Sequence, residues 1–291
     1  MCDRPALEII EQRLGLGCAR LGSVLGVRGP TAAVLVATAF EQGIRFFDTA
    51  SIYGQGDSER ILGQALHSVR QHVMVVSKAG QYFPRGTSFA KPFKRILSPL
   101  IGRSGLGRHI VAKARAAALP QDFSPSFLRT STEGSLRRLK FDYLDILLLH
   151  SPPLDVIEQG DAIHFLETLR DEGKARMIGI SCDDVDCGLL ALRDKRIQVI
   201  ELPLWPWTDR SDHFAECALR QGVYVVARGL IGGALGAAPP DGPHRAQLLR
   251  GIVRSSLALS GISRLIIGTT RTEHLKEILD ALRGREDSTC T

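Results

Sequence analysis

No apolar run in this 291-residue chain reaches the roughly 18 residues that a membrane-spanning helix needs, so no span is expected. The start, MCDRPALEIIEQR, has acids where a secretory leader would have a basic start and a long apolar middle. That points to a cytoplasmic protein. Cysteine is sparse and scattered, at positions 2, 18, 182, 187, 217 and 290, with no C-x-x-C pair, which reads as free thiols in a reducing compartment. The eight histidines are equally dispersed and no H-E-x-x-H occurs, so no metal site is expected. No G-x-G-x-x-G follows a strand pattern, which removes the dinucleotide fingerprint of a doubly wound sheet. One absence is local: residues 79–121 hold no Asp or Glu but eight Lys and Arg. The net charge of +6 therefore belongs to that segment, and the rest of the chain is slightly acidic.

What is present alternates. Short apolar runs at 14–21, 44–48, 73–78, 143–150, 175–181, 198–204, 223–228 and 264–268 read as buried parallel strands. Helix patterns lie between them. The stretch after Pro30 ends at Gly43, and Ser124-Pro125 reads as an N-cap with Pro at the first helical position. Thr270 and Glu273 have capping-box spacing, and Leu275, Ile278, Leu279 and Leu282 share one helix face. Eight strands, each followed by a helix or the chain end, predict an α/β fold, a single-domain (β/α)8 TIM barrel over residues 1–291. The leading LEIIEQRLGLG has room for an extra short strand or hairpin closing the barrel floor. After the third strand, residues 79–123 form a long basic loop over the mouth, and connections of that length are usually functional or disordered.

The polar residues fall where such a barrel does its chemistry. Asp48, Lys78, His150, Ser181, Arg228 and Thr269 end strands, and Glu201 lies near the end of another. One polar residue after a strand is usually a turn residue; seven converging on one end are not. A lysine at the mouth needs a counter-charge, which Asp48 on the adjacent strand supplies. Tyr53, five residues beyond Asp48, can fold back over the mouth, where a nearby ammonium should lower its pKa and make it a proton donor near neutral pH. His150, after the apolar DYLDILLL, can hydrogen-bond a substrate oxygen.

These residues sit in segments that resemble the aldo-keto reductase superfamily. GIRFFDTASIYGQGDSE matches its Asp-Thr-Ala…Tyr-Gly…Glu signature, VVSKAG its lysine strand, and SLRRLKFDYLDILLLHSPP its histidine strand. GKARMIGIS and IIGTTRTEHLKE match two later segments, so the likeness runs from about residue 13 to 283. The resemblance implies a metal-free enzyme using NAD(P)(H) to interconvert a carbonyl (an aldehyde, ketone, or sugar lactone or lactol) and an alcohol. It implies a tetrad of Asp48, Tyr53, Lys78 and His150, with Tyr53 as general acid or base. It also places the cofactor against Ser181, Cys182, Glu201, Arg228, Gly229, Leu230, Gly232, Gly268, Thr269, Thr270, Arg271 and His274, and favours NADP(H) over NAD(H). The chain departs from the pattern at Cys182, where Asn is usual, at Glu201, where Gln is common, at Trp205, where Asn is usual, and at Arg228, where an aromatic often stacks.

Only GREDSTCT follows the last helix pattern, so the specificity wall is expected from the long loop, with Trp205 and Trp207. The basic segment carries no nucleic-acid-binding pattern, and the partner expected is a small-molecule carbonyl or alcohol. The alternatives are a nucleotide-binding regulatory barrel with little turnover, and an interaction protein built around the basic loop.

Overall fold

The computed structural model describes residues 4–23, 26–84, 119–229, 233 and 243–283. Eight parallel strands close into a barrel in sequence order: β1 Leu14–Gly17, β2 Phe46–Asp48, β3 Met74–Ala79, β4 Leu144–His150, β5 Ala175–Ser181, β6 Val199–Pro203, β7 Tyr224–Arg228 and β8 Arg264–Gly268. Helices cover the outside. Side chains alternate across each strand, so every strand serves two cores. Phe47, Val75, Leu147, Ile180, Leu202 and Ala227 pack outward in a large layer beneath the helices. Phe46, Val76, Ile146, Leu148, Val199, Val226 and Ile266 fill the barrel interior. Gly15 makes room for this filling, because a Cβ there would lie 2.7 Å from the Phe46 ring and 2.8 Å from Ile266.

The floor differs from the expectation of a strand or hairpin. Residues Arg4–Arg13 form a helix. Glu, Gln and Arg are good helix formers, the Gln12 amide donates to Glu8 one turn back at 3.0 Å, and Ile10 alone of the adjacent isoleucine pair is buried. Arg13 donates to the carbonyls of Leu257 and Ile262, and Arg264 donates to the Tyr224 hydroxyl at 2.9 Å and to the Glu11 carbonyl at 2.6 Å. The last helix, Thr272–Arg283, also begins later than the capping-box spacing suggests. The Arg271 N–H goes to the Thr269 hydroxyl at 3.1 Å, just ahead of the helix. Most of the basic loop, residues 85–118, including the helix pattern near its end, lies outside the described residues. Its base is closed by an antiparallel bridge between Gln81 and Gln121 and by hydrogen bonds from Tyr82 to Pro120 and from Asp122 to Gly80. Gln121 ties this stem to the end of β4 by donating to the Ser151 carbonyl at 2.7 Å.

Candidate active site

The alternation that fills the barrel also loads its mouth. Two residues beyond the interior Phe46, Val76, Leu148, Gly179, Val199 and Val226 stand Asp48, Lys78, His150, Ser181, Glu201 and Arg228, on the same inward face. His150 registers with Ser181 and Ser181 with Glu201, so these three share one level. Arg228 registers with Pro203, a step higher, while Lys78 registers with Leu148 and Asp48 with Val76, each a step lower. The polar groups thus descend around the mouth, and long side chains bridge the levels.

Lys78 is the hub. Its fully buried ammonium donates to Asp48 and to the Thr49 carbonyl at 3.1 Å, and its Nζ stands 3.2 Å from Glu201 Oε2. Glu201 Oε1 accepts from the Ser181 hydroxyl at 3.3 Å and faces Arg228 Nε at 3.5 Å. Arg228 in turn donates to the Cys182 carbonyl at 2.9 Å and lies 3.7 Å from Asp183. Burial pulls the Lys78 pKa down, but Asp48, Glu201 and Tyr53 together hold it above the ordinary value. Two carboxylates sharing one ammonium leave Asp48 short of positive charge. Burial, then the charge of Glu201, pushes it up to about 7 against the opposing pull of Lys78.

Tyr53 enters from a loop built to return on itself. Gly54, Gln55 and Gly56 all take left-handed φ, at 59°, 60° and 86°, before the helix Asp57–Leu66 starts. A Cβ at Gly56 would lie 2.6 Å from the Arg138 side chain. The turn is pinned from behind. The Ser58 hydroxyl donates to the Cys18 carbonyl at 3.0 Å and lies 2.8 Å from the Thr49 hydroxyl. Buried Glu59 accepts from Ser77 at 2.7 Å and from Arg138 at 2.5 Å. So held, the Tyr53 ring meets His150 edge-on at 5.8 Å, and Lys78 Nζ lies 5.4 Å from its centroid. The expected fall in the Tyr53 pKa is not what this surrounding produces. Burial pushes the phenol up to about 12; Lys78 and Arg228 pull it down, and Asp48 and Glu201 push with burial. His150 is held well below the usual imidazole value by burial, then by Lys78 and Arg228, so it is neutral near pH 7. Its Nδ1 is buried without a hydrogen-bond partner among the described residues.

The remaining expected contacts divide. Ser181 and Arg228 face the mouth, but the Cys182 side chain packs in the outer layer beneath the helices and only its carbonyl reaches Arg228. Trp207 is likewise turned away, half-buried against that layer and donating to Asp212 at 2.9 Å, while Trp205 stays exposed. Leu230 and Gly232 lie outside the described residues. Gly229 and Gly268, at the ends of β7 and β8, open onto free space where a side chain would otherwise stand. Beside them are Thr269, Thr270, exposed Arg271 and half-buried His274 at the N-terminal end of Thr272–Arg283. A side-chain-free cradle, a helix N-terminus with Arg271 beside it and an unpartnered imidazole nitrogen fit a dinucleotide lying across the mouth. Among the described residues no group of three or more His, Cys, Asp or Glu is placed to hold a metal ion, and no helix is long and apolar enough to cross a membrane. Reading the sequence missed the Thr49–Ser58 and Ser77–Glu59–Arg138 supports. Their signal was there, in the Ser58-Glu59 pair that closes the tyrosine segment.

Comparison with known proteins places this site in context. The family model for the aldo/keto reductase family matches residues 13–246. An L-galactose dehydrogenase from Arabidopsis thaliana is 33% identical over 174 residues, which cover 58% of this chain and 44% of that protein. The chain spans about half the length of this and other curated relatives it matches. An aldo-keto reductase from Bacillus halodurans, solved in its holo form, superposes with a TM-score of 0.71 at 24% identity, covering 96% of this chain and 88% of that one. An aldo/keto reductase from Klebsiella pneumoniae, in complex with NADP and acetate, has a TM-score of 0.58 at 20% identity over 96% of this chain and 87% of its own. At these identities the two structures establish the barrel.

Proposed function

The chain belongs to the aldo/keto reductase family, and from that premise we propose that this oxidoreductase interconverts a carbonyl and an alcohol with NADP(H), using Tyr53 as general acid and base. The convergence of Tyr53, His150, Lys78 and Asp48 on one mouth carries this reading. A bound nicotinamide would supply the hydride. The chain's own groups do the rest. Tyr53 gives its proton to the carbonyl oxygen. Neutral His150 donates a hydrogen bond to the same oxygen and fixes its position. Lys78, kept charged by its two carboxylates, stabilises the phenolate that Tyr53 leaves behind. Gly229, Gly268, Thr269, Thr270, Arg271 and His274 would hold the dinucleotide, with Arg271 and His274 placed for the extra phosphate of NADP(H). Relatives named for L-galactose and D-threo-aldose support a polyhydroxylated sugar lactol as the first substrate class to try. The setting proposed is the cytoplasm, in keeping with the free thiols of Cys18, Cys182, Cys187 and Cys217.

The test is a fluorescence titration with NADPH and with NADH, followed by a carbonyl and lactol panel. Tyr53→Phe should bind cofactor normally and lose roughly 10²-fold or more in turnover, the scale of general acid catalysis. Equal rates for wild type and Tyr53→Phe would remove the mechanism. Cofactor binding with no turnover of any panel member would favour the regulatory alternative.

A further inference from the structure

The mouth contains one buried charge more than the proposed chemistry needs. Lys78 already has Asp48, yet Glu201 is brought within 3.2 Å of the same ammonium and is 1% exposed. A second buried carboxylate is costly unless it is paired on both sides. Here Oε1 takes the Ser181 hydroxyl and faces Arg228, which is itself held by the Cys182 carbonyl and Asp183, while Oε2 has the Lys78 charge beside it but no hydrogen-bond partner among the described residues. The result is a chain of alternating sign, Asp48, Lys78, Glu201, Arg228, contributed by β2, β3, β6 and β7, alongside the Tyr53 ring.

On the reading that Tyr53 is the acid and base, we propose that Glu201 is a positioning residue for this reaction. It takes a share of Lys78 that would otherwise face Tyr53, and it fixes Arg228 at the rim. The groups around Tyr53 are Asp48 from β2, Lys78 from β3, His150 from β4, Glu201 from β6 and Arg228 from β7, with the buried Cys18 thiol behind Asp48 and Lys78. His150 is neutral, so on top of burial, which dominates, the charge balance at the phenol is set by two cations and two carboxylates. Removing one carboxylate leaves the cations in excess, and the phenol gives up its proton more readily.

The experiment is an ultraviolet phenolate titration of the cofactor-free protein, comparing wild type, Glu201→Gln and Glu201→Met, each with its Tyr53→Phe counterpart as the blank. The difference isolates Tyr53. Its ionisation should move to lower pH by about one unit in both Glu201 variants, the scale on which a neighbouring charge acts. On the rising limb of kcat/KM for alcohol oxidation, the same displacement should read as roughly 10-fold more activity at fixed pH. A Glu201 with a merely structural role would leave the Tyr53 titration in place, and that result, or movement to higher pH, overturns the proposal. If Tyr53→Phe abolishes turnover while the titration is unmoved, only the Glu201 role falls. If Tyr53→Phe retains full turnover, the Tyr53 reading falls and takes this one with it.

Discussion

Arg138→Met should destabilise this protein far more than loss of an ordinary surface ion pair, because the carboxylate left behind is buried. Glu59 is fully buried and accepts from two partners, Ser77 at 2.7 Å and Arg138 at 2.5 Å. Removing one partner of a buried pair costs about 3–5 kcal/mol. Arg138 keeps 23% of its side chain exposed, which argues for the lower end. Methionine preserves the apolar stem over Gly56, so the loss isolates the charge. At roughly 2 °C per kcal/mol for a chain of this size, the melting temperature should fall by about 6 °C. The control sits next to Glu59 in Asp57–Leu66: Arg60 pairs with Asp57 at 2.8 Å, but both side chains are about half exposed. Arg60→Met should cost less than about 1 kcal/mol. Thermal and urea unfolding of the two variants in the same buffer give the comparison. If Arg138→Met loses no more stability than Arg60→Met, the reasoning about Glu59 is wrong.

Lys78→Met should reduce turnover at least as severely as Tyr53→Phe and also lower stability, since Asp48 and Glu201 lose their shared cation; adding Glu201→Gln to Lys78→Met should recover part of that stability in urea unfolding. Gly56→Ala should cost about 1–2 kcal/mol from its φ of 86° and should lower kcat by displacing Tyr53; an unchanged kcat would separate the turn from the chemistry. Acidification should act on His150 and Asp48 with opposite signs. Below about 6.5 the unfolded chain protonates a histidine that the folded protein keeps neutral, so stability is lost as pH falls. From about 7 down towards 3.8 the folded protein binds a proton at Asp48 that the unfolded chain does not, so stability is gained. His150→Gln should therefore gain stability relative to wild type between pH 6.5 and 5, by at most about 1.4 kcal/mol per pH unit, and parallel urea-derived curves would refute the assignment.

The barrel could be read in advance because buried parallel strands write themselves as short apolar runs, and β2 to β8 are found within about two residues of their expected bounds. The first is the instructive exception: expected to reach Leu21, it ends at Gly17, and Leu21 forms only an isolated bridge with Val27. The opening helix was harder. Ile9 and Ile10 side by side suggest a strand, and one buried beside one exposed suits either element; the Gln12–Glu8 contact, four residues apart, is what a helix brings together. Cys182 looked like a mouth residue because it follows Ser181, yet alternation sends its side chain to the other face. The Tyr53 shift runs opposite to the sequence expectation for a different reason. Lys78 alone would lower the phenol, but in the fold the phenol also meets burial and two carboxylates.

Contacts across the barrel axis are what local motifs do not carry. Asp48 and Lys78 end adjacent strands, so their pairing follows from order along the chain. Glu201 stands on β6, three strands from β3, and reaches Lys78 only because inward-facing side chains meet across the barrel axis. In sequence, glutamate where glutamine is usual reads as a changed ligand contact. In space it changes the counter-charge of a lysine. Arg228 then acquires a reason as well: a cation at the end of β7 balances the carboxylate on its neighbour β6, and the two departures from the family pattern compensate each other. The mouth is therefore best treated as one electrostatic unit, in which altering either member of the Glu201–Arg228 pair should be felt at Tyr53.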